Sequence, residues 1–453
     1  MAGGNAVNQD LKREVLASAE QADIKFVNLQ FTDIVGVVKN VTIPLHKFED
    51  AIEYGLWFDG SSIEGFARIH ESDMYLEPDL STFSPIPWEL NGNATAKVIC
   101  NVHTPEGEEF AGDPRHVLRR AETEAARLGF LFQTGPELEF FLLRADHPGH
   151  MESLPHDRAG YFDYSSDLAY TVRKDMVKAL GDMGIDVEAS HHEVAIGQHE
   201  IDFEYGDAIV TADRATTFKS VLKATAQQHG LHATFMPKPI EGINGSGMHV
   251  HMSLGFVDKK GNAFVDEDDA YGLSKTARHF IAGLLTHARA MSGVLSPLVN
   301  SYRRLVPRFE APVYVSWART NRSALVRVPA IRGGHTAATR VELRCPDPSC
   351  NPYLAFAVML AAGMDGIERE LALPEPVEEN LYHFTDEDLE RRNIPTLPST
   401  LGEAVSEMKA DPLVREALGD HVFERLTSAQ QAEWDDFRKH VSQWERDRYL
   451  ETY

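Results

Sequence analysis

Charged side chains recur at every second position in several otherwise apolar segments of this chain. In GPELEFFLL, which begins at Gly135, Glu137 and Glu139 alternate with Leu138 and Phe140. Successive side chains of a β-strand point to opposite faces, so this spacing predicts a strand with one apolar face and one charged face. The same pattern returns in HVHMSL and RVELR nearer the C-terminus. The sequence therefore predicts a sheet built from strands with one apolar face and one charged face.

The rest of the chain mixes helical and strand patterns without strict alternation. Helices are predicted at 11–22, 45–54, 114–128, 167–184, 212–228, 274–292, 351–368, 401–418 and 430–453. Strands are predicted at 24–31, 35–43, 95–102, 138–143, 185–204, 231–239, 248–254, 312–317, 323–328 and 340–345. The mixture predicts an α+β fold with a mainly antiparallel sheet. The stretch 103–115 is rich in Gly, Pro and charge and is the best candidate for a domain boundary.

Composition restricts the partners of the chain. Lys and Arg number 44 against 69 Asp and Glu, and the formal charge of −25 argues against nucleic-acid binding, which needs a basic surface. A local arginine cluster for a small anion remains compatible with that charge. The three cysteines form neither CxxC nor zinc spacing and suit a reducing cytosol. The N-terminus lacks a signal-peptide pattern, and the most apolar run, 353–364, is shorter than the ~20 residues that span a bilayer. We therefore expect a cytoplasmic protein without membrane segments, in which 353–364 forms a buried helix.

The strand after Gly135 carries the first candidate metal ligands. Glu137 and Glu139 share one face, and residues two apart on a strand are separated by ~6.5–7 Å. Two carboxylates at that distance suit two neighbouring hard cations. The alternative is an ordinary strand with one solvated face.

Two further segments are dense in potential ligands. SHHEVAIGQHEIDF, at 190–203, offers three histidines and two glutamates, and a solvated loop is the alternative interpretation. These residues are His191, His192, Glu193, His199 and Glu200. INGSGMHVHMSL, at 243–254, begins with a glycine-rich turn at Asn244 whose N–H groups could bind an anion or a polar substrate. His249, His251 and Ser253 then share one strand face, which favours a ligand role over isolated structural histidines.

Arginines cluster in the C-terminal third of the chain. Arg340, Glu342 and Arg344 share one face of TRVELR, either as a self-neutralising surface ladder or as a metal carboxylate flanked by anion clamps. Arg303, Arg304, Arg322 and Arg327 add further cations within 45 residues. The planar guanidinium binds phosphate and carboxylate bidentately, so the cluster predicts an anion site, with solvated salt bridges as the alternative.

Carboxylates and histidine for divalent cations, combined with arginines for phosphates, are typical of phosphoryl transfer. The sequence contains no GxxxxGK[ST] loop and no kinase HRD/DFG set, which argues against those nucleotide folds. The residues by themselves predict a metal-dependent enzyme that handles a nucleotide and an anionic substrate.

The motifs together resemble the glutamine synthetase family, type I, of bacteria and archaea. The resembling stretches include FDGSSIEGF at 58–66, GPELEFF at 135–141, SHHEV and GQHE within 190–200, NGSGMH at 244–249, NSYRRLVP at 300–307, NRSALVRVP at 321–329 and RVELR at 340–344. The resemblance implies an N-terminal β-grasp-like domain at 11–110 and a catalytic α/β domain at 111–453. It also implies a dodecamer of two stacked hexameric rings, with active sites between subunits. The implied reaction joins ammonia to L-glutamate with ATP, giving L-glutamine, ADP and phosphate.

The resemblance also implies roles for individual residues. Two or more Mg²⁺ or Mn²⁺ ions are expected in each site. The first would be held by Glu139, Glu193 and Glu200, and the second by Glu137, His249 and Glu342. Glutamate would be bound by Asn244, Gly245, Arg304, Glu310, Arg322 and Arg344. ATP would be bound by Glu188, His251, Ser253, Arg322, Arg327 and Arg340.

Ammonium would be bound beside Tyr161 and Glu193, with Asp59 donated by a neighbouring subunit to remove its proton. Asp59, Glu310 and Arg322 are thus the implied catalytic residues.

The chain departs from the family pattern in three places. Arg308 and Phe309 stand where a Gly-Tyr pair is usual in the flap, and 330–339 lacks the usual nucleotide-contacting lysine. The insertion of the adenylylated subclass is missing, and the context of Tyr382 does not match the modified tyrosine of that subclass. The resemblance is therefore to the shorter, non-adenylylated subclass, in which Arg68 would mediate inhibition by glutamine.

Two alternatives to glutamine synthesis stay open at this point. One is a γ-glutamyl ligase that uses a polyamine or another amine in place of ammonia. The other is a non-catalytic homologue with the same fold, which is disfavoured because all six metal-ligand positions are filled.

Overall fold

The computed structural model describes residues 8–63, 73–89, 92–147, 150–153, 157, 159–164, 168–307, 311–331 and 335–453. The helices and strands predicted from the sequence are present, and the strands form two sheets. Among these described residues, strand pairing is antiparallel except for two parallel pairs, 26–32 with 95–103 and 314–318 with 324–327. The α+β expectation is therefore confirmed.

The N-terminal part is a five-stranded sheet with two helices packed on it. Its elements are α1 (Gln9–Gln21), β1 (Phe26–Thr32), β2 (Val38–Pro44), α2 (Phe48–Tyr54), β3 (Leu56–Asp59), β4 (Asp73–Pro85) and β5 (Thr95–His103). The strand order is β2-β1-β5-β4-β3, which leaves β3 at an edge. In β1 the buried side chains alternate, so Val27, Leu29 and Phe31 enter the core together with Phe48 of α2.

The second part is built on a ten-stranded sheet centred on one long strand. Its elements are α3 (Pro114–Arg127), β6 (Phe130–His147), β7 (His150–Ser153), α4 (Leu168–Asp182), β8 (Val187–His192), β9 (Gln198–Phe203), β10 (Gly206–Asp207), α5 (Ala208–Gln228), β11 (Leu231–Thr234), β12 (Met248–Phe256), α6 (Lys275–Leu295), α7 (Ser301–Arg304), β13 (Tyr314–Ala318), β14 (Ala324–Arg327), β15 (Val341–Leu343), α8 (Pro352–Glu368), α9 (Asp386–Arg391), α10 (Leu401–Ala410), α11 (Pro412–Phe437) and α12 (Gln443–Tyr449). The main path is β13-β14-β15-β12-β6-β9-β8.

The apolar face of this sheet packs on a helical layer. Leu138, Phe140 and Leu142 of β6 are fully buried against it, as their alternation with the glutamates predicts. Helix α8 is buried along almost its whole length, which confirms the buried helix expected at 353–364. It lies so close to α6 that a Cβ on Gly283 would stand 2.0 Å from the carbonyl oxygen of Ala362. The two helices therefore need glycine at this crossing.

Three local predictions were wrong in their boundaries. The strand expected at 138–143 extends from 130 to 147, and the strand expected at 185–204 is two strands joined by a turn at 193–197. The helix expected at 401–418 is interrupted at Asp411, whose side chain accepts a hydrogen bond from the N–H of Leu413 and so starts α11. Pro412 has no N–H to continue α10 and disfavours a helical conformation at Asp411.

A buried ion network joins the two parts. Arg115 of α3 donates to Asp79 Oδ2 at 2.7 Å and to Asp213 at 2.8 and 3.0 Å. Asp79 lies on β4 of the N-terminal part and Asp213 on helix α5 of the second part, so one guanidinium connects the two parts. Lys97 of β5 adds a 2.8 Å hydrogen bond to Thr217 of α5. The domain limits of 11–110 and 111–453 stay a prediction.

Candidate active site

The charged face of the second sheet forms the floor of one pocket with a cavity volume of about 320 Å³. Strands β14, β15, β12, β6, β9 and β8 are successive neighbours there, so side chains that are far apart in sequence meet. The lining residues are Glu137, Glu139, Tyr161, His191, Glu193, Val194, Gln198, Glu200, Asp202, Asn244, Gly245, His249, Arg304, Ala311, Arg322, Arg327, Glu342 and Arg344. The six predicted metal ligands are all in this list.

Three carboxylates form a first group at one side of the floor. Glu139 lies opposite Glu200 in the register of β6 and β9, and Glu193 follows the end of β8. One oxygen from each carboxylate lies within 4.8 Å of the others. Phe141, which continues this strand face, is fully buried, so the alternative of a solvated face is wrong for β6.

The acids of this group oppose each other's ionisation. Burial raises the pKa of Glu139 to about 7. Burial and the neighbouring charges of Glu139 and Asp202 raise the pKa of Glu200 well above its ordinary value. Burial also raises the pKa of Asp202 to about 7. Hard oxygen donors crowded in a low-dielectric pocket fit a divalent cation, which would offset their repulsion.

A second group lies across β6, β12 and β15. Glu137 is opposite His249 in the register, and His251 is opposite Glu342. His249 Nδ1 lies 3.6 Å from an oxygen of Glu137 and 3.6 Å from an oxygen of Glu342. His251 Nε2 is nearer still to Glu137, at 2.7 Å. One ligand atom each of Glu137, His251 and Glu342 lies within 4.8 Å of the others, as a second cation would need, so the imidazole grouped with the two carboxylates is that of His251, with the predicted His249 beside it.

The ionisation of this second group differs from that of the first. Burial acts to raise the pKa of Glu137, but hydrogen bonds from His249 and His251 outweigh it and hold the pKa well below its ordinary value. Burial likewise opposes ionisation of Glu342, yet Arg344 and His249 lower its pKa to about 2. Both carboxylates are thus charged and ready to bind a cation near neutral pH.

Arginines stand beside the second group. Arg344 Nη1 donates to Glu342 Oε1 at 2.5 Å, and Arg327 pairs with the other oxygen of Glu342. Glu342 is only 1% exposed, so the surface-ladder interpretation of TRVELR is wrong. Arg340 turns away from Glu342 and donates to His251 Nδ1 at 3.1 Å.

Arg304 is fixed against the glycine-rich turn. Its guanidinium donates to the carbonyl oxygens of Cys345, Pro346 and Arg344 at 2.8, 3.2 and 3.1 Å. A Cβ on Gly247 would lie 2.4 Å from Arg304 Nη2. The glycine after Ser246 therefore makes room for the arginine at the pocket wall.

A second cavity of about 280 Å³ adjoins the first and shares Glu137 and Asp202 with it. Four residues expected to contact the nucleotide line this cavity together: Glu188, His251, Ser253 and Arg340. Phe203 and Tyr205 provide an aromatic part of its wall. Its size and position beside the second carboxylate group suit a nucleotide whose phosphates point into the first pocket.

Some predicted site residues are not in the pocket. Asp59, at the end of edge strand β3, accepts hydrogen bonds from Ser61 and does not line the pocket of its own chain. Glu310, Arg68 and the unusual Arg308 and Phe309 lie outside the described residues.

Of the histidines at 190–200, only His191 lines the pocket, whereas His192 and His199 contact buried Asp157. Arg303 stacks over the Phe437 ring at 5.5 Å, away from the pocket.

Two polar pocket residues were missed by the sequence reasoning. Gln198 donates to Glu139 Oε2 at 2.7 Å and to the carbonyl oxygen of Gly245 at 3.1 Å. These two bonds connect the first cluster of carboxylates to the glycine-rich turn. Asp202 lines both cavities. The available signal was the period of two in QHEID, which puts Gln198, Glu200 and Asp202 on one strand face.

A pocket in which two clusters of carboxylates face four arginines, two of them buried, defines a class, the metal-dependent enzymes that act on anionic substrates. Comparisons with known proteins refine this class. Residues 23–105 match the family described as glutamine synthetase, beta-Grasp domain, and residues 111–449 match glutamine synthetase, catalytic domain. The chain belongs to the glutamine synthetase family. The expected β-grasp and catalytic domains are thereby confirmed, and the family uses ATP and divalent metals and is generally oligomeric.

Relatives that carry the name glutamine synthetase match nearly the whole chain. The protein of Thermus thermophilus is 54% identical over 447 residues, 98% of this chain and 99% of its own. The protein of Clostridium saccharobutylicum is 53% identical over 98% of this chain and 99% of its own length. The protein of Halobacterium salinarum is 50% identical, with 98% and 97% coverage.

A solved structure titled as a GmaS complex with ADP superposes with a TM-score of 0.87 at 31% identity, covering 96% of this chain and 99% of that one. Within the part of the chain that the structure describes, no helix is long and apolar enough to cross a membrane.

Proposed function

We propose that this chain joins ammonia to L-glutamate through γ-glutamyl phosphate, consuming ATP and releasing L-glutamine, ADP and phosphate. The observation that carries the proposal is that two clusters of carboxylates and the arginines line the same pocket. Full-length relatives named glutamine synthetase support the same reaction. We place it in the short, non-adenylylated type I subclass and in the cytoplasm, as the sequence predicts.

The donor set fits divalent cations, for which Mg²⁺ or Mn²⁺ is proposed. Glu139, Glu193 and Glu200 would hold one ion, and Glu137, His249 and Glu342 would hold another. Bound there, the cations supply charge neutralisation for the phosphates and the acyl group. His251 Nε2 lies 2.7 Å from Glu137, whereas His249 Nδ1 lies 3.6 Å away. Because His251 also lines the second cavity, we propose that it contacts both this carboxylate and the nucleotide.

The cavity lined by Glu188, His251, Ser253 and Arg340 is the proposed nucleotide site, with Arg322 and Arg327 directed to the phosphates. The solved relative bound to ADP supports a nucleotide in this fold. A guanidinium beside a transferring phosphoryl group stabilises the charge that develops on its oxygens.

Glutamate is proposed to bind between the glycine-rich turn and the arginines. Asn244 and Gly245 would bind the end of glutamate that carries the α-amino and α-carboxyl groups. Arg304 would bind the α-carboxylate, and Arg344 would bind the γ-carboxylate. The backbone carbonyls that hold Arg304 fix its orientation before the substrate arrives, so little conformational entropy is lost on binding. Glu310 and Arg322 would complete this site.

Phosphorylation solves the problem that a carboxylate poses to a nucleophile. The carboxylate is negatively charged and resonance-stabilised, whereas its acyl phosphate has a good leaving group and hydrolyses readily. The pocket must therefore exclude water until ammonia binds.

Ammonium needs a base because the cation itself is not a nucleophile. Asp59 is proposed to remove its proton, beside Tyr161 and Glu193. Asp59 lies on edge strand β3 near Trp57, whose side chain is 56% exposed, and an exposed tryptophan there suits contact with a neighbouring subunit. This placement supports the proposed dodecamer of two hexameric rings, in which a neighbour completes each site. Regulation by glutamine through Arg68 is proposed on the sequence alone.

Phosphate release from ATP and glutamate tests the proposal when ammonium, putrescine and ethanolamine are compared as amines. We expect release with ammonium and little release with the two organic amines. Release only with an organic amine would replace the proposal with a γ-glutamyl-amine ligase. No release with any amine would favour a non-catalytic homologue.

A further inference from the structure

A closed group of polar side chains lies behind the pocket, on the opposite face of β8 and β9. Asp157 is fully buried, with Oδ1 2.6 Å from His192 Nε2 and Oδ2 3.1 Å from His199 Nε2. The second nitrogen of each histidine is also bonded. His192 Nδ1 lies 2.6 Å from the carbonyl oxygen of Glu193, and His199 Nδ1 accepts from Arg173 at 2.9 Å.

These distances describe hydrogen bonds and not a cation site. Ligands around a tetrahedral zinc ion, at 2.0–2.1 Å from the metal, are roughly 3.3 Å apart. The Asp157 to His192 distance of 2.6 Å is too short for that and is ideal for a charge-assisted hydrogen bond. The group is therefore a fixed network in which both oxygens of Asp157 and both nitrogens of each histidine have hydrogen-bond partners.

Each histidine of the network precedes a carboxylate of the pocket. His192 comes directly before Glu193, and His199 comes directly before Glu200. Because alternate residues of a strand point to opposite faces, holding His199 on one face of β9 sets the direction of Glu200 on the other. His192 is the last residue of β8, so holding it fixes the backbone from which Glu193 follows. Gly197, in the turn between them, has a φ of 74°, and a Cβ there would lie 3.9 Å from Asp157 Oδ2. Asp157 thus supports both ends of the β8–β9 turn.

His192 also contacts the segment that carries Tyr161. The N–H of Phe162 donates to the carbonyl oxygen of His192 at 3.2 Å. The rings of Tyr161 and Phe162 meet His191 edge-on, at centroid distances of 5.5 and 4.8 Å. Phe162 has a φ of 62°, a strained conformation for a bulky residue, which persists only where the surroundings enforce it.

We propose that Asp157 is a positioning residue of the active site. By binding His192 and His199 it fixes the backbone that carries Glu193 and Glu200 into the pocket, and through the bond between His192 and Phe162 it supports Tyr161 at the pocket edge. This inference rests on the proposed function, because it assigns Glu193 and Glu200 to a cation and Tyr161 to the ammonium pocket. Outer-shell partners of metal ligands typically change metal affinity by about 10–100-fold when they are removed.

The test uses the full chain and the variants Asp157→Ala and Asp157→Asn. Free Mn²⁺ is measured by electron paramagnetic resonance during titration, which gives a dissociation constant without any turnover. We expect Asp157→Ala to weaken Mn²⁺ binding by about 10–100-fold. The KM for ammonium should rise more than the KM for ATP. The isosteric Asp157→Asn, which keeps one acceptor oxygen, should give a smaller effect and decides the matter if the alanine variant does not fold.

Asp365→Asn is the matched control. Asp365 Oδ2 lies 2.9 Å from His287 Nε2 in a different cavity, so this variant also weakens a half-buried aspartate–histidine pair. It should lower the melting temperature and leave the Mn²⁺ dissociation constant unchanged.

Asp157 variants that lose stability like this control but bind Mn²⁺ as tightly as the unmodified chain would overturn the inference alone. An unmodified chain that binds no Mn²⁺ would overturn the cation site itself and the inference with it.

Discussion

The side-chain amide of Gln198 donates a 2.7 Å hydrogen bond to Glu139, and both residues are almost completely buried. A second bond from the same amide reaches the carbonyl oxygen of Gly245 at 3.1 Å. One side chain therefore sets the distance between the first carboxylate group and the glycine-rich turn.

Gln198→Leu should loosen both halves of the pocket. The change leaves a buried carboxylate oxygen and a carbonyl without their donor, so we expect about 10-fold weaker cation binding and a higher KM for glutamate. Steady-state kinetics and Mn²⁺ titration measure these effects. Gln430→Leu is the control, because Gln430 is equally buried and bonds backbone carbonyls far from the pocket. Unchanged constants in Gln198→Leu would contradict the bridging role.

Cation binding should depend on pH near neutrality. In the cation-free chain the pKa of Glu139 is raised to about 7, and that of Glu200 is raised well above its ordinary value. Below pH 7 these acids hold protons that a cation must displace, so affinity should increase from pH 6 to pH 8 and binding should release protons. Isothermal titration calorimetry in two buffers of different ionisation enthalpy counts those protons. Affinity and heat that are the same across this range would show that the carboxylates are not the ligands.

Gly247→Ala should disturb the arginine at the pocket wall. The added Cβ would lie 2.4 Å from Arg304 Nη2, so the guanidinium must move away from the carbonyl oxygens that hold it. We expect the KM for glutamate to rise about 10-fold or more, since a charged hydrogen bond contributes about 1.5–3 kcal/mol. Gly181→Ala is the control. It lies in helix α4 with nothing within 4 Å of its Cβ, and it should stabilise the chain slightly. An unchanged KM in Gly247→Ala would show that Arg304 does not bind glutamate.

Arg115→Ala should weaken the contact between the two parts of the chain and lower the free energy of unfolding. Removing this guanidinium leaves Asp213 and Asp79 without their shared partner, and breaking such a buried pair costs about 3–5 kcal/mol. Thermal unfolding should show a clear fall in melting temperature. Arg127→Ala removes an exposed pair with Glu124 and should change the melting temperature little. Equal effects of the two variants would contradict a network that joins the two parts of the chain.

The sequence predicted the parts of the site that depend on strand periodicity. Glu137, Glu139, His249, His251 and Glu342 each lie on the strand face that their spacing indicated. Their meeting in one pocket depends on strand order, for which the family resemblance, not the periodicity, was the guide.

The remaining features depend on contacts between distant residues, which no local pattern contains. Asp157 gave no signal, because its role comes from two histidines that are 35 and 42 positions further along the chain. His192 and His199 resembled pocket ligands in composition, although strand alternation turns them to the opposite face. The break at Asp411 was visible in the Asp-Pro pair, yet the helical pattern on both sides concealed it.

Isotope transfer tests the central claim most directly. Glutamate labelled with ¹⁸O in its γ-carboxylate is incubated with the protein, ATP, Mg²⁺ and ammonium, and the released phosphate is analysed by mass spectrometry. In the proposed route, a γ-carboxylate oxygen attacks the terminal phosphate of ATP, and ammonia then displaces the phosphate from the acyl carbon. Each released phosphate should therefore carry one labelled oxygen, and one labelled phosphate should form for each glutamine. Phosphate without label, despite ATP consumption, would contradict the acyl phosphate route.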